Sequence, residues 1–274
     1  MSDEMYESSA IAQAVEKQWK KWLLLSRQKP VIEPLAPFPI VTFSREKGSG
    51  GSSVAKQVAE ALGFVLFDSE IVDHVARSAS VDRAVVMHLD ERSQRSIKEW
   101  TDRVIHRQNF SSQDYMAHLT RTILTIGEKG RAVIIGRGAH LLLPVERCFR
   151  VRVIAPLEVR IERLAAGTGI GRLEAEILIA ETDKQRAHYI DENFRQSDAN
   201  PLLYDLVINT GAIALETAAE LVVRGVKAKF PHVLDARLSS VHEPPHKPPA
   251  DAEFSEVEQE LEVSRGGQTG EAAG

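Results

Sequence analysis

Two hydrophobic periods alternate along this chain. Short continuous apolar runs at 40–44, 64–67, 132–135, 149–154 and 203–208 read as buried strands. Between them, apolar residues recur at the three- and four-residue spacing of amphipathic helices. That spacing predicts helices over about 52–62, about 69–78, 157–165, Arg172 to about Arg195 and about 213–229. Strands alternating with helices predict a parallel sheet, hence an α/β fold. The stretch 82–128 reads as helical throughout, with breaks near Trp100 and Phe110. Its segment Gln113–Lys129 carries one apolar face of Met116, Leu119, Ile123, Leu124 and Ile126, so this part is a helical insertion.

The two ends differ from the middle. Within residues 1–38, Ile11, Val15, Trp19, Trp22 and Leu23 recur at helical spacing, with Lys17, Lys20, Lys21 and Arg27 on or beside the other face. This amphipathic helix suits docking on its own domain or on a partner better than lying on a membrane surface. Pro30, Pro34, Pro37 and Pro39 then form an extended connector. Residues 233–274 read as a tail: Pro244, Pro245, Pro248 and Pro249 are followed by acidic residues and glycines, too little apolar surface to offset the entropy of ordering. Phe254, Val257 and Leu261 offer one amphipathic turn to a protein partner. The predicted organisation is therefore 1–38, a domain over 39–232, and 233–274.

Composition narrows the function classes. The formal net charge is −5, but residues 239–274 hold eight carboxylates against Lys247 and Arg265, so the remainder is about +1. A near-neutral domain argues against a general nucleic-acid binder. No apolar run reaches the roughly 20 residues of a membrane span, and the N-terminus lacks a signal-peptide succession, so a cytoplasmic protein without stable membrane insertion is expected. Cys148 is the single cysteine and sits in a strand, which points to a buried inert thiol. The nine histidines show no metal-ligand spacing, and no Ser/His/Asp arrangement is legible.

The stretch Ile40–Lys56 passes from an apolar run through Gly48, Ser49, Gly50 and Gly51 into a helix. Glycines there let the backbone approach a bulky anion, and the helix start presents unpaired amides to the same spot. The signature G-x-x-x-x-G-K-[ST] is not met: with Gly50 as its second glycine, Gly51 stands at the lysine and Ser52 at the magnesium-ligand hydroxyl. A plain Gly/Ser turn is the simpler alternative.

Three arginine-bearing sites fall where strands of such a sheet end, which is where ligands bind in open α/β folds. Gly136-Arg137-Gly138 offers a guanidinium grip on phosphate, or a surface salt bridge. Arg160 and Arg163 lie three apart on one helix face and serve either a phosphoryl group or their neighbours Glu158 and Glu162. Lys184 and Arg186 follow a break at Gly167, Gly169 and Gly171 that offers a hinge, and mobile cations closing over a donor suit phosphoryl transfer. Asp68 either meets an acceptor or caps the next helix. Tyr204–Gly211, with Asn209 in it, suits a base pocket or a polar turn.

Taken in order, Ser44-Arg45 with Gly48-Ser49-Gly50-Gly51, Phe67-Asp68, Gly136-Arg137-Gly138, Ala155–Arg160, Asp183–Ala187 and Tyr204–Thr210 resemble the cytidylate kinase-like family across about 40–230. The resemblance implies a P-loop NTPase-type three-layer fold with a central parallel sheet, the helical insertion and a lid. It implies transfer of the γ-phosphoryl of ATP, with Mg2+, to a nucleoside monophosphate such as CMP or dCMP. On that mapping Gly48, Ser49, Gly50, Gly51, Ser52 and Ser53 cradle the donor, with Ser52 or Ser53 on magnesium and Asn209 near the ATP. Asp68 and Arg137 take the acceptor; Arg160, Arg163, Lys184 and Arg186 neutralise the transferring group. Arg45, Lys47 or Lys56 stands in for the missing lysine, which this family's loop commonly lacks. A nucleotide-binding regulatory module without turnover, and a small-metabolite kinase of the same fold, are the alternatives.

Overall fold

The computed structural model describes residues 39–77, 97, 98, 101 and 113–231. Strands β1 (Ile40–Arg45), β2 (Val65–Phe67), β3 (Ala132–Ile135), β4 (Cys148–Ile154) and β5 (Leu206–Asn209) form one sheet in the order β2-β3-β1-β4-β5. Every pairing is parallel, with Ile40 opposite both Ala132 and Cys148, and Val151 opposite Leu206. Parallel strands need crossovers, and helices supply them. They are α1 (Gly51–Leu62), α2 (Ser69–Arg77), α3 (Gln113–Lys129), the short α4 (Ala139–Leu142), α5 (Leu157–Thr168), α6 (Arg172–Phe194) and α7 (Leu215–Lys229).

Strands β1, β3 and β4 are buried on both faces over most of their length, whereas the edge strand β5 exposes Val207, and the side chains divide by the two-residue period of a strand. Ile40, Phe67, Ala132, Ile134 and Cys148 join Val72, Met116, Leu119, Ile123 and Ile126 from α2 and α3 in one apolar layer. Val41, Phe43, Val133, Val151 and Val153 join Val54, Val58, Val222 and Val226 from α1 and α7 in the other. The result is three layers with the sheet in the middle. A separate small cluster of Ile161, Ala175 and Ile179 holds α5 against α6 as a hairpin.

Most predicted boundaries stand within a residue or two, and the differences have local causes. Helix α5 runs on through Gly167 to Thr168 and stops at Gly169, whose left-handed backbone (φ 76°) closes it. Strand β5 begins at Leu206 rather than Leu203, because Asn200 caps a 3-10 turn over Pro201–Leu203. Residues 1–38 and 232–274 lie outside the described residues, as does most of 78–112. The helix, connector and tail expected at the ends therefore have no structural account. Among the described residues, no helix is long and apolar enough to cross a membrane. Cys148 is buried on β4, and burial pushes its thiol up to about 12.

The edge strand β5 is tied down electrostatically. The Asp205 carboxylate accepts from Arg150 N (2.8 Å), Arg150 Nη2 (3.0 Å) and Lys229 Nζ (2.9 Å), linking β4, β5 and α7. Burial disfavours its charge, but the hydrogen bonds from Arg150 and Lys229 outweigh that and hold its pKa below the ordinary carboxylate value. A lowered folded-state pKa adds stability above the unfolded pKa of about 3.9 and loses it as pH falls toward the folded value. Asp205→Asn is therefore expected to melt below the parent at about pH 7, with a smaller gap at about pH 3, below the unfolded pKa. Melting curves at the two pH values check this; a gap independent of pH would assign the loss to packing.

Candidate active site

All five strands end on the same edge, so the loops after β1, β3 and β4 meet there. Gly48 (φ 80°) and Gly50 (φ 78°) adopt left-handed backbone in the loop after β1. A β-carbon on Gly48 would stand 2.6 Å from the Arg160 carbonyl oxygen, which cannot yield as a side chain would. Helix α1 starts at Gly51 with no side-chain cap and no acidic residue in its first turn. Its first amides and its positive dipole end are left to whatever anion sits before them.

The loop is held from its carbonyl side by arginines of the α5–α6 hairpin. Arg186 Nη1 donates to the carbonyl of Arg45 (3.0 Å), Arg160 Nη1 to that of Lys47 (3.4 Å) and Arg163 Nη1 to that of Ser49 (3.2 Å). In a trans peptide the following N–H points the opposite way, so the amides of Gly48 and Gly50 face away from these guanidiniums. Thr210 Oγ1 also donates to the Ser49 carbonyl, at 2.6 Å. The Asp183 carboxylate accepts from Lys47 N (2.7 Å) and from Arg160 Nη1 (2.5 Å), and Glu46 Oε2 accepts from Ala155 N (3.0 Å).

Beside the loop is a cavity of about 230 Å3 bordered by Arg45, Arg137, Arg186, His140, Tyr189 and Asp198 among others. Arg45 passes over Gly136, where a β-carbon would lie 2.8 Å from its Nη1. Burial lowers the Arg45 pKa to about 10, with repulsion from Arg186 and Arg137 adding to it. Burial likewise lowers that of Arg186. Arg137 has positive φ (54°), costly for a non-glycine residue, and its guanidinium is paired with Asp73, which also accepts from Tyr115 Oη at 2.7 Å. Three buried nitrogens of residues that line this cavity, Arg45 Nε, Arg137 Nε and His140 Nε2, have no hydrogen-bond partner among the described residues.

Bonded to the lining residues Ser44 and Asp198, Arg152 is buried and donates to Ser44 Oγ (3.1 Å), Asp198 Oδ2 (3.0 Å) and Tyr204 Oη (3.4 Å). The His140 ring stacks on Tyr204, with centroids 5.0 Å apart and planes 27° from parallel. Burial, with Arg150 and Arg152 nearby, lowers the His140 pKa to about 4, so the imidazole is neutral.

The expected site residues divide accordingly. Arg45, read from the sequence with the donor loop, lines the cavity with Arg137 and Arg186. Arg160 and Arg163 are engaged by the loop backbone, Asp183 and Thr210, whereas Glu158 pairs with Arg172. Ser49 is buried, with its hydroxyl on the Glu46 carbonyl (2.9 Å); Ser52, Ser53, Lys56 and Lys184 are exposed. Asp68 caps α2, accepting from Glu70 N (3.1 Å) and Ile71 N (2.9 Å). Asn209 Oδ1 accepts from Gly211 N (2.9 Å), forming a polar turn. His140, Arg152, Asp198 and Asp73 went unread because each lies on a different element from its partner. Only the glycines around Arg137 and the Asp183–Ala187 run signalled their neighbourhoods.

The model of the cytidylate kinase-like family matches residues 40–212. Cytidylate kinase of Pyrococcus horikoshii is 28% identical over 198 residues, covering 71% of this chain and 89% of that protein. Uronate isomerase of Corynebacterium glutamicum is 32% identical over 124 residues, covering 45% of this chain but 24% of that protein, so the chain spans about a quarter of that relative. A crystal structure of an uncharacterized protein from Eubacterium ventriosum superposes with a TM-score of 0.57 at 22% identity, covering 69% of this chain and 98% of that one. This last likeness concerns the fold alone.

Gly48→Ala is expected to destabilise the protein by about 1–3 kcal/mol, from left-handed strain and the collision with the Arg160 carbonyl. Chemical denaturation measures it. Unchanged stability would mean that the loop does not hold this backbone.

Proposed function

The chain belongs to the cytidylate kinase-like family, and from that premise we propose that it transfers the γ-phosphoryl of Mg-ATP to a small phosphate monoester, CMP or dCMP being the first candidates. The observation that carries this reading is the cavity beside the glycine loop. Arg45, Arg137 and Arg186 line it together, and the buried Nε of Arg45 and of Arg137 has no partner among the described residues. Guanidiniums gathered against their mutual repulsion suit an anionic ligand, and a phosphate monoester brings two negative charges.

The loop holds the donor. Its Gly48 and Gly50 amides and the uncapped start of α1 suit the β- and γ-phosphates, and Arg160, Arg163 and Asp183 keep that backbone in shape. Exposed Ser52, in the first turn of α1, is a hard oxygen donor that fits magnesium held mainly by the nucleotide's own phosphates. Bound there, the ion would neutralise donor charge; the described residues hold no cluster of three His, Cys, Asp or Glu that could carry it unaided. In the step itself the acceptor's phosphate oxygen attacks the γ-phosphorus, an O–P bond forms, and the bond to the β-phosphate oxygen breaks to release ADP. A monoester oxygen attacks as an anion, so no side chain must remove a proton. This agrees with Asp68 spending its carboxylate on the start of α2.

A coupled ADP-release assay with Mg-ATP against nucleoside monophosphates and small hydroxylated metabolites tests the reading. Turnover only with hydroxylated metabolites would favour a small-metabolite kinase, and none with any acceptor a nucleotide-binding module. Arg137→Ala should lower kcat/KM for the monophosphate by about thirty- to a thousand-fold, the equivalent of about 2–4 kcal/mol, while ATP affinity changes little. Asp73→Asn, which frees Arg137 from its carboxylate, separates loss of the guanidinium from loss of the pair. An equal fall in ATP binding in Arg137→Ala would remove that residue from the acceptor site.

A further inference from the structure

The residues that line the cavity fall into two unlike groups. Arg45, Arg137 and Arg186 repel one another. In the other group, Asp198 meets the charge of Arg152, and His140 is a further lining residue. The imidazole is only 6% exposed, and its Nε2 has no hydrogen-bond partner among the described residues. Leaving such a nitrogen unpaired in the interior is unfavourable. A phenyl ring could stack on Tyr204 at no such cost, so stacking alone does not account for a histidine here. Because the ring face lies on Tyr204, its hydrogen-bonding edge is fixed. It follows Arg137 by three residues, at the start of α4, so the two are presented from one turn.

We propose that His140 reads the organic part of the acceptor. With the acceptor's phosphate among the three arginines, a hydroxyl, amino or carbonyl group a few ångströms away pairs with the edge of the imidazole. This rests on the acceptor reading of the same cavity. It makes the preferred ligand a phosphate ester carrying a hydrogen-bonding group, ahead of inorganic phosphate and of an ester without one. Asp198 and Ser44, which hold Arg152, support the floor on which the histidine and Tyr204 rest.

Calorimetric titration of the full chain with inorganic phosphate, methyl phosphate, glycerol phosphate, CMP and UMP tests this. The parent should bind at least one of the last three about tenfold more tightly than methyl phosphate. His140→Phe, which keeps a ring on Tyr204, should lose that preference about tenfold and bind inorganic phosphate and methyl phosphate as before. His140→Asn, which restores a donor and an acceptor, should recover part of it. Imidazole 15N shifts in the parent need no variant: one histidine should move with the preferred ester and none with methyl phosphate.

A parent that does not distinguish these esters overturns the proposal. So does a His140→Phe variant that keeps the preference, or one that weakens inorganic phosphate equally, which would make the histidine structural. The kinase reading fails separately. If ester preference and its loss in His140→Phe stand while no ester supports ADP release, the histidine's role survives and the phosphotransferase reading does not.

Discussion

Like charges gathered at one edge of a sheet are the constraint around which this domain is arranged. At an effective dielectric of about 20, two unit charges about 4 Å apart interact by about 4 kcal/mol, so guanidiniums cannot be brought together without compensation. Helices supply it. Asp73 on α2 meets Arg137, Asp183 on α6 meets Arg160, and Asp198 after α6 meets Arg152. At Arg45, burial first and then repulsion from Arg186 and Arg137 outweigh the attraction of Asp68 and Asp183, and its pKa stays lowered. The uncompensated positive charge is the cavity's chemistry, and the carboxylates are what allow it to exist in a folded chain.

The same cations shape the donor loop, which has few side chains of its own to hold it. A loop of glycines loses much conformational entropy on ordering. Contacts from elsewhere offset that loss: the carbonyls of Arg45, Lys47 and Ser49 each accept from an arginine more than a hundred residues away, and Thr210 reaches Ser49 from the end of β5. The absent lysine is intelligible in these terms. A β-carbon on Gly51 would stand 2.6 Å from Arg45 Cβ, so a side chain at that position would displace the arginine that lines the neighbouring cavity.

What the sequence made legible was whatever is local. The strand–glycine–helix order at 40–62, the strand at 132–135 and the apolar face of 113–129 follow from period and turn residues, and the structure keeps them. Arg137 was legible because glycines flank it at a strand end. The Arg152 group was not, since Ser44, His140, Asp198 and Tyr204 come from four separate segments and share no spacing. Arg160 and Arg163 were legible as a helix face but not in what they touch: a guanidinium that grips backbone carbonyls has the same sequence signature as one that grips phosphate.

That ambiguity bears on how labour is divided between loop and cavity. Phosphoryl transfer asks for positioned positive charge more than for proton removal, so the residues to weigh are those whose charge is not already spent. Arg160 is bound to Asp183 and to two carbonyls, and Arg163 to Thr210 and Ser49. Both are better described as holding the loop backbone than as free to meet a ligand. Arg186 spans the two roles, donating to the Arg45 carbonyl while lining the cavity. It is a cation of α6 that touches both the glycine loop and the cavity.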